Sequence, residues 1–169
     1  QINSAIQLSD ADGDTKIQVE ESSDEDKIRF DTGGTERMII DGVNIGIGTS
    51  SPTAKLEIRA ASTFNTVNGH IMLSGDSATD GQGPQIVFSE SGSSSSYAGA
   101  YVGHVRTGSN STGDLVFGTR ATGGDATTVP TERMRILSDG KVGIGTDAPD
   151  TTLHVEGSVL IDAYEVGAG

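Results

Sequence analysis

The chain has no cysteine and no tryptophan, aromatic residues make up only 4% of it, and basic residues are few. Without cysteine there is no disulfide framework and no indication of redox compartment. Eleven Lys and Arg stand against 24 Asp and Glu, for a net charge of −13 and a pI near 4.4. Such a surface repels phosphate backbones, which argues against nucleic acid as a ligand. No stretch approaches 18 consecutive apolar residues and no signal peptide is visible, so membrane insertion is not expected. The first residue is Gln, and the strand-like run Ser158–Val166 breaks off at Gly169. Both features read as a piece of something longer.

The apolar residues present are of one kind. Leu, Ile, Val and Phe total 37 of 169 residues, and 26 of these are Ile or Val against 7 Leu. β-Branched side chains suit the pleated, half-buried surface of a sheet. The expected fold class is therefore all-β. With few large side chains and 24 glycines, the chain is poorly equipped for a thick private core. Burial by identical neighbours in an oligomer would make good the shortage.

One stretch occurs twice. Thr35-Glu36-Arg37-Met38 returns as Thr131-Glu132-Arg133-Met134, 96 residues later, and Ile45-Gly46-Ile47-Gly48-Thr49 returns as Val142-Gly143-Ile144-Gly145-Thr146 at a spacing of 97. Pro52 and Leu56-Glu57-Ile58 are echoed by Pro149 and Leu153-His154-Val155. A small insertion near Asp41-Gly42 and Asp139-Gly140 accounts for the slip. An internal repeat implies units arrayed along an axis.

The string T-E-R-M-x-I, then D-G, then [IV]-G-I-G-T-x-x-P and [LI]-x-[VI], resembles a module that recurs in bacteriophage tail fibres. Asp10–Phe30 and Gly83–Thr119 are similar to the inter-module segments of such fibres, notably those of marine phages. The resemblance implies an elongated homotrimeric fibre of short strands, with intertwined, β-prism-like or β-sandwich-like modules in tandem. It also implies a place in the virion, outside the cell, beside adjoining fibre or tail proteins. It implies no catalytic residue, cofactor or metal ligand.

Period-2 alternation places short strands around Leu8, Ile17–Val19 and Ile28–Phe30, with Ile2 and Ile6 ahead of them. Met38–Ile40 and Ile45–Ile47 follow. Residues 54–58 have some helix propensity, but their counterpart 151–155 does not, and equivalent segments should share a conformation; both are expected as strands. Further strand candidates are Gly69–Leu73, Gln85–Ser89, Tyr97–Thr107 and Asp114–Thr119. Asn68-Gly69 is a hairpin turn signal, and Ser91–Ser96 reads as an exposed tip. Phe30-Asp31-Thr32 and Phe117-Gly118-Thr119 precede the two T-E-R-M strings. The expected organisation is a first module at 1–59, an inserted β domain at 60–130, the repeated motif at 131–156, and the start of a further unit at 157–169. Glycines alternate with isoleucine at Gly46 and Gly48, so something must approach that face closely, with a symmetry-related backbone as the candidate.

Several patterns touch on chemistry. Asp10, Asp12 and Asp14 have the 1-3-5 spacing of a calcium loop, but Thr15 stands where the sixth position needs glycine, and a solvated hairpin tip is the better reading. Asp31-Thr32-Gly33 has no second copy with which to share a proton, as aspartic-protease chemistry requires. Gly143-Ile144-Gly145-Thr146-Asp147-Ala148 fits the dinucleotide pattern on paper, but Pro149 and a strand follow where a helix is needed. His70, His104 and His154 lack metal-ligand spacing. Glu36-Arg37 and Glu132-Arg133 repeat, either as an interchain ion pair or as solvated charges. Tyr97 and Tyr101 with polar loops could recognise sugars.

The expected function is a structural tail-fibre segment that positions or contributes to host attachment, and not an enzyme. Alternatives are a glycan-binding adhesin domain of a bacterial surface fibre, with a host glycan or protein as partner, and a polysaccharide depolymerase. The acidic residues cluster at turn tips such as Asp24-Glu25-Asp26, where nothing would exclude water, which disfavours the last.

Overall fold

The computed structural model describes residues 7–19, 22, 24–61, 69–76, 78–90, 97–121, 123 and 127–160. Among them every regular element is a strand, in two six-stranded sheets. The chain divides into two units, Gln1–Met72 and Leu73–Gly169. Unit 1 holds β1 (Gln7–Ser9), β2 (Lys16–Gln18), β3 (Lys27–Thr32), β4 (Thr35–Asp41), β5 (Asn44–Ile47) and β6 (Leu56–Ile58). Unit 2 holds β7 (Gln85–Phe88), β8 (Ala100–Arg106), β9 (Gly113–Thr119), β10 (Thr131–Ile136), β11 (Val142–Ile144) and β12 (Leu153–Val155). In both, the order across the sheet follows the order along the chain. Ile2, Ile6, Asn68, Ser91–Ser96 and residues 161–169 lie outside the described residues.

The repeat is wider than the sequence suggests. Five antiparallel strands are followed by a sixth that runs parallel to the fifth, and this happens twice. The expected insert at 60–130 contributes β7, β8 and β9, the counterparts of β1, β2 and β3. Its strand β9 is hydrogen-bonded to β10 from Leu115↔Ile136 to Thr119↔Thr131. Residues 60–130 and 131–156 therefore share one sheet, and the unit boundary falls at Met72/Leu73. Different loop lengths between the first three strands hide this correspondence from a sequence comparison. Gly69–Leu73, expected as a strand, pairs with nothing; Ile71, Met72 and Leu73 are exposed there. Ser158–Leu160, expected to open a further unit, carries no strand.

Turn chemistry fixes the register. Gly33 and Gly34 both have positive φ, the two-residue hairpin geometry that closes β3 onto β4 at Thr32↔Thr35. Gly42 (φ +59) opens the next turn, where Asp41 pairs with Asn44. In unit 2 the same hairpin runs from Leu137 to Lys141 and places Gly140 at φ +89. The extra residue is absorbed in the turn, so Ile136↔Val142 repeats Ile40↔Ile45.

The sixth strand depends on the two G-I-G-T segments. Gly46 is a buried strand residue, and a Cβ there would collide with the carbonyl oxygen of Thr49; Gly143 meets Thr146 in the same way. Gly48 (φ +71) and Gly145 (φ +77) are not strand glycines but the points where the chain leaves the sheet in a left-handed conformation. The close approach expected at this face is therefore real, but it comes from the same chain and not from a symmetry mate. Residues 48–55 fold back over β5 and deliver β6 alongside it, a shorter path than the dozen or so residues that a parallel connection usually takes. Backbone bonds from Ile45 N to Lys55 O (2.9 Å) and Arg59 N to Ile47 O (2.8 Å) recur as Val142 N to Thr152 O and Glu156 N to Ile144 O, both 2.9 Å.

Because β1 and β6 run in the same direction, the chain enters unit 1 at one end of the sheet and leaves at the other. Unit 2 does the same. Gly46→Ala and Gly143→Ala should each cost about 1–3 kcal/mol through overpacking. Gly75→Ala, where a Cβ meets nothing within 4 Å, should leave the melting temperature unchanged in the same thermal unfolding experiment.

Candidate functional site: one open apolar face and its charged reverse

Pairing registers place one apolar row across all six strands of each sheet. In unit 1 it is Leu8–Ile17–Phe30–Met38–Ile47–Ile58. In unit 2 it is Ile86–Val102–Phe117–Met134–Ile144–Val155. A second row lies on the same face: Ile28–Ile40–Ile45–Leu56, matched by Leu115–Ile136–Val142–Leu153. Side chains two apart on a strand share a face, so each unit presents one nearly continuous hydrocarbon surface. It is not covered: Ile47 is 40% and Ile144 41% exposed, and Leu8, Leu56, Ile86 and Leu153 more so.

The reverse face is the buried one, and it is polar. Its central row in unit 1 is Gln18–Arg29–Ile39–Gly46–Glu57, and in unit 2 Gly103–Val116–Arg135–Gly143–His154. Ile39 and Val116, each 1% exposed, are the fully buried large side chains among the described residues. Across β3–β4, Arg29 faces Ile39; across β9–β10, Val116 faces Arg135. The cation and the aliphatic residue have exchanged strands.

A β-bulge makes either arrangement work. Register slips between Phe30↔Met38 and Asp31↔Glu36, and again between Phe117↔Met134 and Gly118↔Glu132, leaving Arg37 and Arg133 as the extra residues. A bulge re-aims the side chains beyond it. It turns Glu36 and Glu132 from the apolar face to the charged one. Glu36 then meets Arg29 Nε at 3.1 Å, with Glu25 on the same guanidinium. Glu132 receives two bonds from Arg135, at 2.7 and 2.6 Å, although residues three apart on a regular strand point to opposite sides. Arg135 also donates to buried Asp114 at 2.7 Å, whose other oxygen accepts the Ser138 amide at 2.9 Å. The Glu132 carboxylate, ahead of the opposing effect of desolvation, holds the Arg135 pKa above its ordinary value. Within the chain, the repeated Glu and Arg are thus not partners of one another. Arg37 and Arg133 are exposed, and each gives its Nε–H to a threonine hydroxyl, Thr32 at 2.9 Å and Thr119 at 3.2 Å.

The other sequence candidates are dispersed. Asp10, Asp12 and Asp14 do converge, with ligand atoms within 4.8 Å of one another, on the exposed loop between β1 and β2. Asp10 Oδ1 accepts the Gly13 and Thr15 amides at 3.1 and 3.2 Å, the bonding of an ordinary Asp turn. Partial desolvation raises its pKa, but those bonds and Asp12 outweigh it, so the carboxyl lies below its usual range. Asp31 is buried on the charged face beside Lys16 at 3.5 Å. Gly143–Ala148 leads into a turn and a strand, with no helix behind it. His70 is exposed and outside any strand, contrary to expectation. His104 Nε2 lies 3.2 Å from Ser111 O, and His154 sits between Asp150 (3.1 Å) and Glu156 (3.5 Å). Tyr97 lies beneath Arg120, 5.4 Å from its guanidinium carbon, and the Tyr101 ring covers Gly118. Both rings are engaged within the chain.

Asp114, Arg29 and Arg135 escaped the sequence reading. Their signal was reciprocal: with Phe30 and Phe117 aligned, position 29/116 reads Arg/Val while 39/135 reads Ile/Arg. Compared with family models and with curated proteins, the chain finds no match. The geometry defines it as an all-β repeat protein.

Arg135→Met should destabilise unit 2 by about 3 kcal/mol in denaturant unfolding, because Asp114 would stay buried without its cation. The exchange Val116→Arg with Arg135→Ile, which copies the arrangement in unit 1, should recover at least half of the loss. Glu57 accepts from the Thr53 amide (2.8 Å) and hydroxyl (3.0 Å), and these bonds hold its pKa below the usual range. The bonds form with the carboxylate, so they persist above the ordinary glutamate pKa and are lost as pH falls through the depressed one. The Thr53 amide shift in an NMR titration should follow that lowered midpoint.

Proposed function

We propose that this chain is a segment of a phage tail fibre, a homotrimeric structural component of the virion that positions or contributes to attachment at the host surface. The observation that carries this reading is the twice-repeated sheet whose chain enters at one end and leaves at the other. A purely antiparallel six-stranded meander would return the chain to its starting end. The parallel sixth strand instead sends it onward, as tandem units stacked along an axis require.

The T-E-R-M and G-I-G-T strings that resemble fibre modules are the parts that build this path: the first carries the bulge and the second the chain reversal. A shaft needs repetition and through-running connectivity, and no pocket or reacting group. The function is mechanical, so no catalytic residue is assigned.

Two measurements test the proposal. Light scattering should give three times 17.3 kDa, unchanged on dilution. A variant with unit 2 duplicated should lengthen the particle in electron micrographs by about 20 Å or more at constant width, since a seven-residue strand such as β4 spans roughly that distance. A particle of one chain, or one that widens instead of lengthening, would sink the fibre reading.

A further inference from the structure

We infer that the surface joining copies of this chain is the two-row apolar face, in both units, with Phe30/Met38 and Phe117/Met134 at its centre. This rests on the homotrimeric reading above and adds the surface to it. The occupant is a second copy of this chain. Charge on the other side of each sheet narrows the choice. Arg29, Asp31, Glu36, Asp114, Glu132 and Arg135 are already paired within the chain or buried, so the reverse face has little left to offer a neighbour.

The open face is the opposite case. Within each unit it sets ten apolar side chains side by side on six strands, with Leu8, Leu56, Ile86 and Leu153 about half exposed or more. Single exposed hydrophobic residues are ordinary, but contiguous patches of this extent mark interaction sites. Registers repeat from unit to unit, Phe against Met at the middle and Ile, Val or Leu outward, so neighbouring copies meet one pattern twice. An open groove of about 400 Å³ in unit 1 is lined by Leu8, Ile17 and Phe30 together with polar neighbours. An identical neighbour also explains how a chain with two fully buried large side chains among its described residues maintains twelve strands.

Because the chain has no cysteine, single thiols can report on each surface. Ile47→Cys and Ile144→Cys place a thiol on the face in units 1 and 2. Val43→Cys places one on the turn after β4, where the side chain is 74% exposed. The full chain carrying each substitution is sized by light scattering and its thiol reacted with a maleimide under native conditions. The expected result is a multimer in which the Ile47→Cys and Ile144→Cys thiols react at least 100-fold more slowly than Val43→Cys, and equally fast in denaturant. A multimer in which all three react alike would overturn the assignment of this face while leaving the fibre reading intact. A single-chain particle would overturn both. If one face variant fails to assemble, the other unit carries the same test.

Discussion

The segment after the fifth strand lies so close over that strand that only glycine fits beneath it. This contact, Thr49 over Gly46 and Thr146 over Gly143, governs much else in both sheets. It lets a short connection reverse without a helix or long loop, and so places the sixth strand parallel to the fifth. It also leaves space on the charged side for Ile39 in one unit and Arg135 in the other to lie beside a strand position that has no side chain. The positive-φ glycines that follow, Gly48 and Gly145, supply the turn. A side chain at either strand glycine would push the returning segment away and, with it, the direction in which the chain leaves the unit.

The two faces of each sheet follow from a second constraint, the bulge at Arg37 and Arg133. Strict alternation would have put Glu36 and Glu132 among isoleucines and phenylalanines. One extra residue moves them to the side where a guanidinium waits. Burying a cation is tolerable only with charged partners and good geometry, and both units meet that condition with carboxylates of their own. The cation itself sits on different strands in the two units. What is preserved is the cross-strand pair of one arginine and one aliphatic residue, facing the re-aimed glutamate. The apolar face is thereby relieved of these two carboxylates.

Much of this was legible in sequence. Scarce leucine, abundant β-branched residues and period-2 alternation gave the all-β class, and the repeated strings located β4, β5, β10 and β11. Even the ambiguous segments 54–58 and 151–155 were resolved as strands by comparing one copy with the other. The site was less legible. The glycines announced a close approach, but not that the approaching backbone belonged to the same chain, because proximity across a reversal is set by φ at Gly48 and not by spacing. The paired Glu and Arg beside each methionine gave no sign that, within the chain, the bulge would turn each Glu toward a different arginine. Asp114 looked like any loop-edge acid until the hairpin from Leu137 to Lys141 brought the Ser138 amide to it.

Local chemistry by itself determined the strands, their turns and the existence of two related modules, since alternation, β-branching and left-handed glycines act over a few residues. Only the tertiary structure decided that β7–β9 complete the second module, that the sixth strand runs parallel, and that the apolar side of each sheet is left open while the charged side is covered. Those outcomes depend on which strand lies beside which and on a one-residue slip in register. Such a slip inverts the face of every side chain beyond it, and no composition or local pattern records it.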